Sequence, residues 1–280
     1  MTDPIANSTK PAQWSAGSRP YSIDSSEECD RLERQGLIAR IDGHLAHLKL
    51  PKRALVLECG CGSGSMSRLI ARTHADATVV GVDYRQQYLD YAAALAGKQG
   101  LANVTFRQAD VFALPFPDAS FDVVWTKYLL QWLKEPKRAL AEIKRVIKPG
   151  GMLVSCDFDG FITEHFPISP ALESRIRHVI TAIVDTNTGR KIAPYLIELG
   201  FADVNVAVET DHVFTIVGKI DPERRQNWVT QWTALGPRLI EILGSDADAK
   251  NFVEDFLRFS DDPATCTFTS LYFTRGTVSV

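Results

Sequence analysis

No uninterrupted apolar run in this chain reaches the ~18 residues that a membrane-crossing helix requires, so no span is expected. Neither sign of charge dominates: 31 Lys and Arg stand against 34 Asp and Glu, a formal net charge of −3. The basic excess that marks a nucleic-acid-binding surface is missing, and no nucleic-acid partner is expected. Cysteine is scarce and odd in number, with Cys29, Cys59, Cys61, Cys156 and Cys266 scattered along the chain, which argues against a disulfide framework. Cys59-x-Cys61 could form half of a metal site, yet no second Cys/His pair follows at ligand spacing, so no metal is expected. The opening Met1-Thr2-Asp3-Pro4 has neither the basic nor the apolar region of a secretion signal, and the expectation is a cytoplasmic protein. No segment repeats, and none is low-complexity.

What is present is enough apolar residue, 45% of 280, to bury the core of one large α/β domain with appendages. The chain is organised around Leu55-Val56-Leu57-Glu58-Cys59-Gly60-Cys61-Gly62-Ser63-Gly64-Ser65-Met66. The apolar run Ala54 to Leu57 reads as a strand covered on both faces. Glycines at alternate positions follow, and then a helical pattern from Ser65 to Ala71. A strand, a glycine turn and a helix start let backbone N–H groups closely approach an adenine-nucleotide-like ligand.

The spacing narrows the ligand. A dinucleotide fingerprint is G-x-G-x-x-G, whereas Gly60, Gly62 and Gly64 give G-x-G-x-G and position 65 is serine. Glu58 precedes the first glycine by two. A second strand, Thr78 to Val82, ends in Asp83, placed to accept hydrogen bonds from ribose hydroxyls. A third, Val104 to Gln108, leads to Asp110. Three acids thus follow three successive strands, whose ends share one rim of a parallel sheet.

Glu58-Cys59-Gly60-Cys61-Gly62-Ser63-Gly64, Val82-Asp83, Gln108-Ala109-Asp110-Val111, Phe121-Asp122-Val123-Val124-Trp125 and Arg145-Val146-Ile147-Lys148-Pro149-Gly150-Gly151 stand in one order and spacing across roughly residues 50 to 157. In this the chain resembles the class I S-adenosylmethionine-dependent methyltransferases, in their small-molecule branch. The resemblance implies a Rossmann-like α/β fold: a seven-stranded, mostly parallel sheet with an antiparallel last strand and helices on both faces. It implies S-adenosyl-L-methionine as cofactor and S-adenosyl-L-homocysteine as product. It also implies cofactor contacts from Tyr21, Glu58, Gly60, Cys61, Gly62, Gly64, Asp83, Tyr84, Asp110, Val111, Phe112, Thr126 and Lys127. After the fourth strand, Lys127 could meet a carboxylate, while Gln131 and Trp132 would face the methyl acceptor.

Outside that core, residues 1 to about 18 are polar and aperiodic, a tail. Residues 1–48 as a whole read as tail plus helical lid, with acids Glu27 and Glu28 at a helix start and Leu32, Leu37, Ile38 and Ile41 along its stripe. The methyltransferase domain then spans 49–280. Segments 158–187 and 218–262 read as helical insertions that cap the substrate, since an insertion after the fifth strand opens on the cofactor rim. Phe158 and His165 lie in the first and are candidate substrate contacts. His165, His178 and Tyr21 are candidate catalytic groups, a histidine with pKa near 6.5 being suited to general-base work. No catalytic residue is fixed by the sequence. The expectation is methyl transfer to a small organic acceptor, in specialised metabolism, by in-line displacement driven by proximity and desolvation. Alternatives are a protein that uses the cofactor non-catalytically or for a non-methylating rearrangement, and a nicotinamide-dependent oxidoreductase. The acceptor's identity and homo-oligomer formation stay open.

Overall fold

The computed structural model describes residues 26–280. The tail and Tyr21 lie outside them. Two helices, α1 (Ser26–Ile38) and α2 (Ile41–His44), precede β1 (Leu55–Cys59). The alternating core follows: α3 (Ser65–Thr73), β2 (Thr78–Asp83), α4 (Gln86–Lys98), β3 (Val104–Gln108), β4 (Phe121–Lys127), α5 (Pro136–Val146) and β5 (Ile147–Phe166). Then come α6 (Pro170–Ile183), α7 (Gly189–Glu198), β6 (Phe201–Thr210), β7 (Ile216–Val217), α8 (Pro222–Ala234), α9 (Gly236–Leu243), α10 (Asp246–Asp261) and β8 (Cys266–Val278).

One sheet runs β3-β2-β1-β4-β5-β8-β6, with β7 attached to β8. Strands β1 to β5 pair in parallel, and β8 is antiparallel to both β5 and β6. Successive side chains of a strand face opposite ways. Val56, Val79, Val123 and Val154 therefore enter one apolar layer, while their neighbours Leu57, Val80, Val124 and Leu153 enter the other. Both layers are dry, which is why these strands are apolar throughout instead of alternating with polar residues. Helix α5 covers the second layer through Ala139, Leu140, Ile143 and Val146, at helical spacing.

Three features go beyond the sequence reading. The fifth strand does not stop at Cys156 but continues to Phe166, so the first part of the expected helical insertion at 158–187 is strand. Pairing with β8 carries it on, broken by a register shift between Asp159 and Glu164. The helical insertion at 218–262 is divided into three helices, with breaks at Leu235–Gly236 and at Gly244. The two-residue β7 joins the seven expected strands as an eighth. Helices α6, α8 and α10 each start on a side-chain cap, where Ser169, Asp221 and Ser245 accept from the N–H groups of Leu172, Arg224 and Asp248. No helix among the described residues is long and apolar enough to cross a membrane.

Candidate active site

The loop between β1 and α3 is shaped by backbone that L-residues rarely adopt. Gly62 sits at φ +51 and Gly64 at φ +76. A Cβ on Gly64 would stand 2.6 Å from the Phe106 ring and 2.8 Å from Ala92, so this glycine is needed for conformation and space together. Gly60 and Cys61 both donate their N–H to the Val82 carbonyl, at 2.8 and 2.9 Å, which ties the loop to the end of β2. Asp83 locks the same corner. Its carboxylate accepts from the Gly62 N–H and the Arg85 N–H, each at 3.0 Å.

Burial governs the acids here. Glu58 is 3% exposed and accepts from the Ser67 hydroxyl; desolvation pushes its carboxyl up to about 7. Burial raises Asp83 as well, against the pull of the backbone donors at Arg85, Gly62 and Tyr84. Asp157, within β5 where it pairs with β8, is fully buried, accepts from the Leu130 N–H at 3.1 Å and is pushed up to about 7 by the same cause. Lys127 is desolvated too, which lowers its ammonium, and its Nζ lies 3.8 Å from the centre of the Tyr128 ring.

Helix α1 is laid directly over the glycine loop. Leu32 approaches Gly62, and Gly36 of α1 leaves only 3.2 Å between its would-be Cβ and the Ser65 hydroxyl. Arg68 of α3 holds the two together, donating to the Ser63 carbonyl and to Glu33 of α1, both at 2.6 Å. On the inner face of α1, Arg31 makes a two-pronged pair with Glu28 at 2.7 Å and donates to Gln35 at 2.6 Å. It also reaches Asn227 of α8 at 3.5 Å.

A single cavity runs beneath this helix. Glu58, Gly60, Cys61, Gly62, Asp83, Tyr84, Asp110 and Val111 line one end. Lys127, Gln131, Trp132 and Phe158 line its continuation. That continuation is aromatic: Tyr128 stacks on Phe158 at 4.2 Å between centroids, and Phe158 on Phe161 at 4.6 Å. Phe214 meets both phenylalanines edge-on. Tyr128 bends the chain out of β4 at φ +53, and its hydroxyl donates to Asp211 at 2.6 Å.

The cavity thus gathers twelve of the named candidates, and the other described ones lie elsewhere. Gly64 shapes the loop from behind. Thr126 is fully buried and bonded to Ser155 at 2.9 Å. The Phe112 side chain packs in the core, under the Arg138 guanidinium. His165 is a structural residue here, its two ring nitrogens engaged by the Thr267 hydroxyl at 2.8 Å and the Ile162 carbonyl at 2.9 Å, and burial lowers its pKa. His178 is exposed on α6, away from the cavity wall. His178→Ala is accordingly expected to leave turnover within about twofold of wild type, the usual range for a surface change; a large loss in a steady-state assay would return it to the site. Residues that the sequence reading did not reach are Arg31, Gln35, Tyr88, Tyr128, Phe161, Phe214 and Gln231, all on the wall. One signal was available. Glu28, Arg31 and Gln35 recur at helical spacing, a polar row beside the apolar stripe.

The raised carboxyls have a consequence for stability. Below about 7 the folded chain keeps protons on Glu58 and Asp157 that an unfolded chain, titrating near 4.5 and 3.8, has released. Their stabilisation is therefore lost as pH rises through 7. His44, held down to about 3 by burial, acts oppositely, but only below its ordinary 6.5. Between about pH 6.5 and pH 8 the ligand-free protein should lose roughly 1 kcal/mol per carboxyl. Denaturant midpoints should fall over that range, and Asp157→Asn should make the fall shallower; an unchanged slope would mean Asp157 is ionised throughout.

Comparison with known proteins places this geometry. Residues 57–155 match the family model described as "Methyltransferase domain". The demethylmenaquinone methyltransferase of Thermus thermophilus is 38% identical over 114 residues, covering 41% of this chain and 50% of the relative. The chain spans about half the length, or less, of the first curated relatives it matches (40%, 43% and 50%). Among solved structures, the [4+2]-cyclase SpnF aligns with a TM-score of 0.59 at 21% identity, over 96% of this chain and 89% of that one. Phosphoethanolamine N-methyltransferase 2 of Haemonchus contortus, solved with phosphomonomethylethanolamine and S-adenosylhomocysteine, aligns with a TM-score of 0.59 at 17% identity, over 92% and 59%. These two likenesses concern the fold.

Proposed function

Taking residues 57–155 as a methyltransferase domain of the class I S-adenosylmethionine-dependent type, we propose that this chain binds S-adenosyl-L-methionine and transfers its methyl group to a small organic acceptor. The observation that carries the reading is the continuity of the cavity, from the glycine loop and Asp83 at one end to stacked aromatic rings at the other. The donor set suits the cofactor. Asp83, an acceptor at the end of β2, would take the sugar hydroxyls, Asp110 and Val111 would hold the base, and the loop from Gly60 to Gly62 would hold the amino-acid part.

When bound, the cofactor supplies an electrophilic methyl on sulfonium. The chain's part is to hold an acceptor in line with it and to keep water out. Helix α1 acts as the lid, closing the glycine loop from solvent through Leu32 and Gly36. Tyr128, Phe158 and Phe161 provide the apolar wall against which the acceptor lies. Neither His165 nor His178 serves as base, since both stand off the cavity. The substrate is a specialised metabolite and the setting cytoplasmic.

The decisive experiment couples calorimetry with mass spectrometry. S-adenosylhomocysteine should bind with one-to-one stoichiometry, and labelled methyl should appear on a small acceptor. Absence of binding would end the proposal. A second reading, a rearrangement catalyst that keeps the cofactor, draws support from the likeness in fold to the [4+2]-cyclase SpnF. Product mass decides: a shift of one methyl supports transfer, an isomer supports the second.

A further inference from the structure

Among the described residues, nine buried side-chain polar atoms have no hydrogen-bond partner. Two of them, Gln131 Oε1 and Gln231 Oε1, belong to residues on the cavity wall, and the other seven do not. Gln131 is 3% exposed and Gln231 9%, so bulk water does not readily satisfy either carbonyl. A buried acceptor left unpaired costs about 1–3 kcal/mol, and folded chains seldom keep two on the wall of one cavity without use. The orientation of Gln131 is fixed by its surroundings. Its Nε2 faces the Tyr128 carbonyl at 3.4 Å, a group that can only accept, so the amide oxygen must be the free end.

The two glutamines come from distant parts of the chain, Gln131 from the turn after β4 and Gln231 from α8. The same cavity is lined by Tyr128, Phe158 and Phe161, whose successive rings are within 17° and 20° of parallel. The cationic groups nearby are already committed. Arg31 is paired with Glu28, and Lys127 is desolvated against the Tyr128 ring.

We infer that the acceptor is an uncharged planar molecule bearing hydroxyl or amine hydrogen-bond donors, which Gln131 and Gln231 receive while its ring plane lies on the aromatic wall. The inference rests on the methyltransferase reading and adds the substrate class to it. A site built to accept a hydrogen bond discriminates against an analogue that lacks the donor, because its own carbonyl is then left unpaired. Specificity would therefore reside in these two amides, and the rings would supply affinity.

The test uses the whole chain saturated with S-adenosylhomocysteine, with dihydroxynaphthalene, its dimethyl ether and naphthoate as probes, and binding read by calorimetry. Dihydroxynaphthalene should bind tightest. Gln131→Leu and Gln231→Leu should each weaken it roughly five- to tenfold and leave the dimethyl ether unchanged, the loss of one hydrogen bond apiece. Retained S-adenosylhomocysteine affinity shows that each variant is folded, and Gln131→Asn, which shortens the amide by one methylene, should fall between. Equal binding of the diol and its ether, tighter binding of naphthoate, or a preference that survives both leucine variants would overturn the inference. Failure of the wild-type chain to take up S-adenosylhomocysteine would defeat the methyltransferase reading itself, and this inference with it.

Discussion

Asp83→Ala should weaken S-adenosylhomocysteine binding by about 3 kcal/mol, roughly a hundredfold. Two losses combine. The sugar hydroxyls lose a charged acceptor, and the Gly62 and Arg85 N–H groups lose the carboxylate that fixes the loop at 3.0 Å. Folding should suffer less than binding, because removing a desolvated carboxyl also removes the cost of burying it. Asp83→Asn, which still accepts through one oxygen, should be intermediate. Titration calorimetry with parallel thermal unfolding separates the two effects. An affinity within threefold of wild type would mean that the nucleoside does not lie against β2.

Arg31→Met should be the most damaging change in the lid. It takes the two-pronged Arg31 contact away from buried Glu28, and breaking a buried pair from one side costs about 3–5 kcal/mol. The helix has a cheaper route than global unfolding, which is to lift α1 away so that Glu28 reaches water. Amide exchange in residues 28–38 should accelerate at least tenfold, and cofactor release should quicken with it. Removing the second charge tests the cause: Glu28→Gln added to Arg31→Met should recover part of the loss, since both halves of the pair are then neutral. If exchange in α1 is unaltered by Arg31→Met, the pair is not what holds the lid.

The parts of this molecule that could be read from sequence are those in which a short stretch determines its own neighbours. Glu58, the glycines and Asp83 are joined by strand ends that parallel pairing must bring together, so the donor end of the cavity follows from local pattern. The acceptor end does not. Phe214 and Gln231 reach it from beyond β6, and Phe161 points inward because β5 shifts register after Asp159, which no periodicity announces. His165 misled for a related reason: a free imidazole has the pKa of a base, whereas this one is held at both nitrogens by Thr267 and Ile162. Chemistry read from a side chain alone presumes an environment that only the tertiary pairing supplies.

The overlong β5 carries one more implication. Cys156, within the sheet, and Phe158, on the aromatic wall, are two positions apart on a ladder pinned to β8 at Phe273 and Leu271. The ring of Phe158 is therefore mounted on a ruler of continuous hydrogen-bonded strand, and its placement does not depend on how a loop happens to settle. Molecules of different outline could be admitted by trimming the ring mounted on that ruler, while the strand that carries it stayed the same.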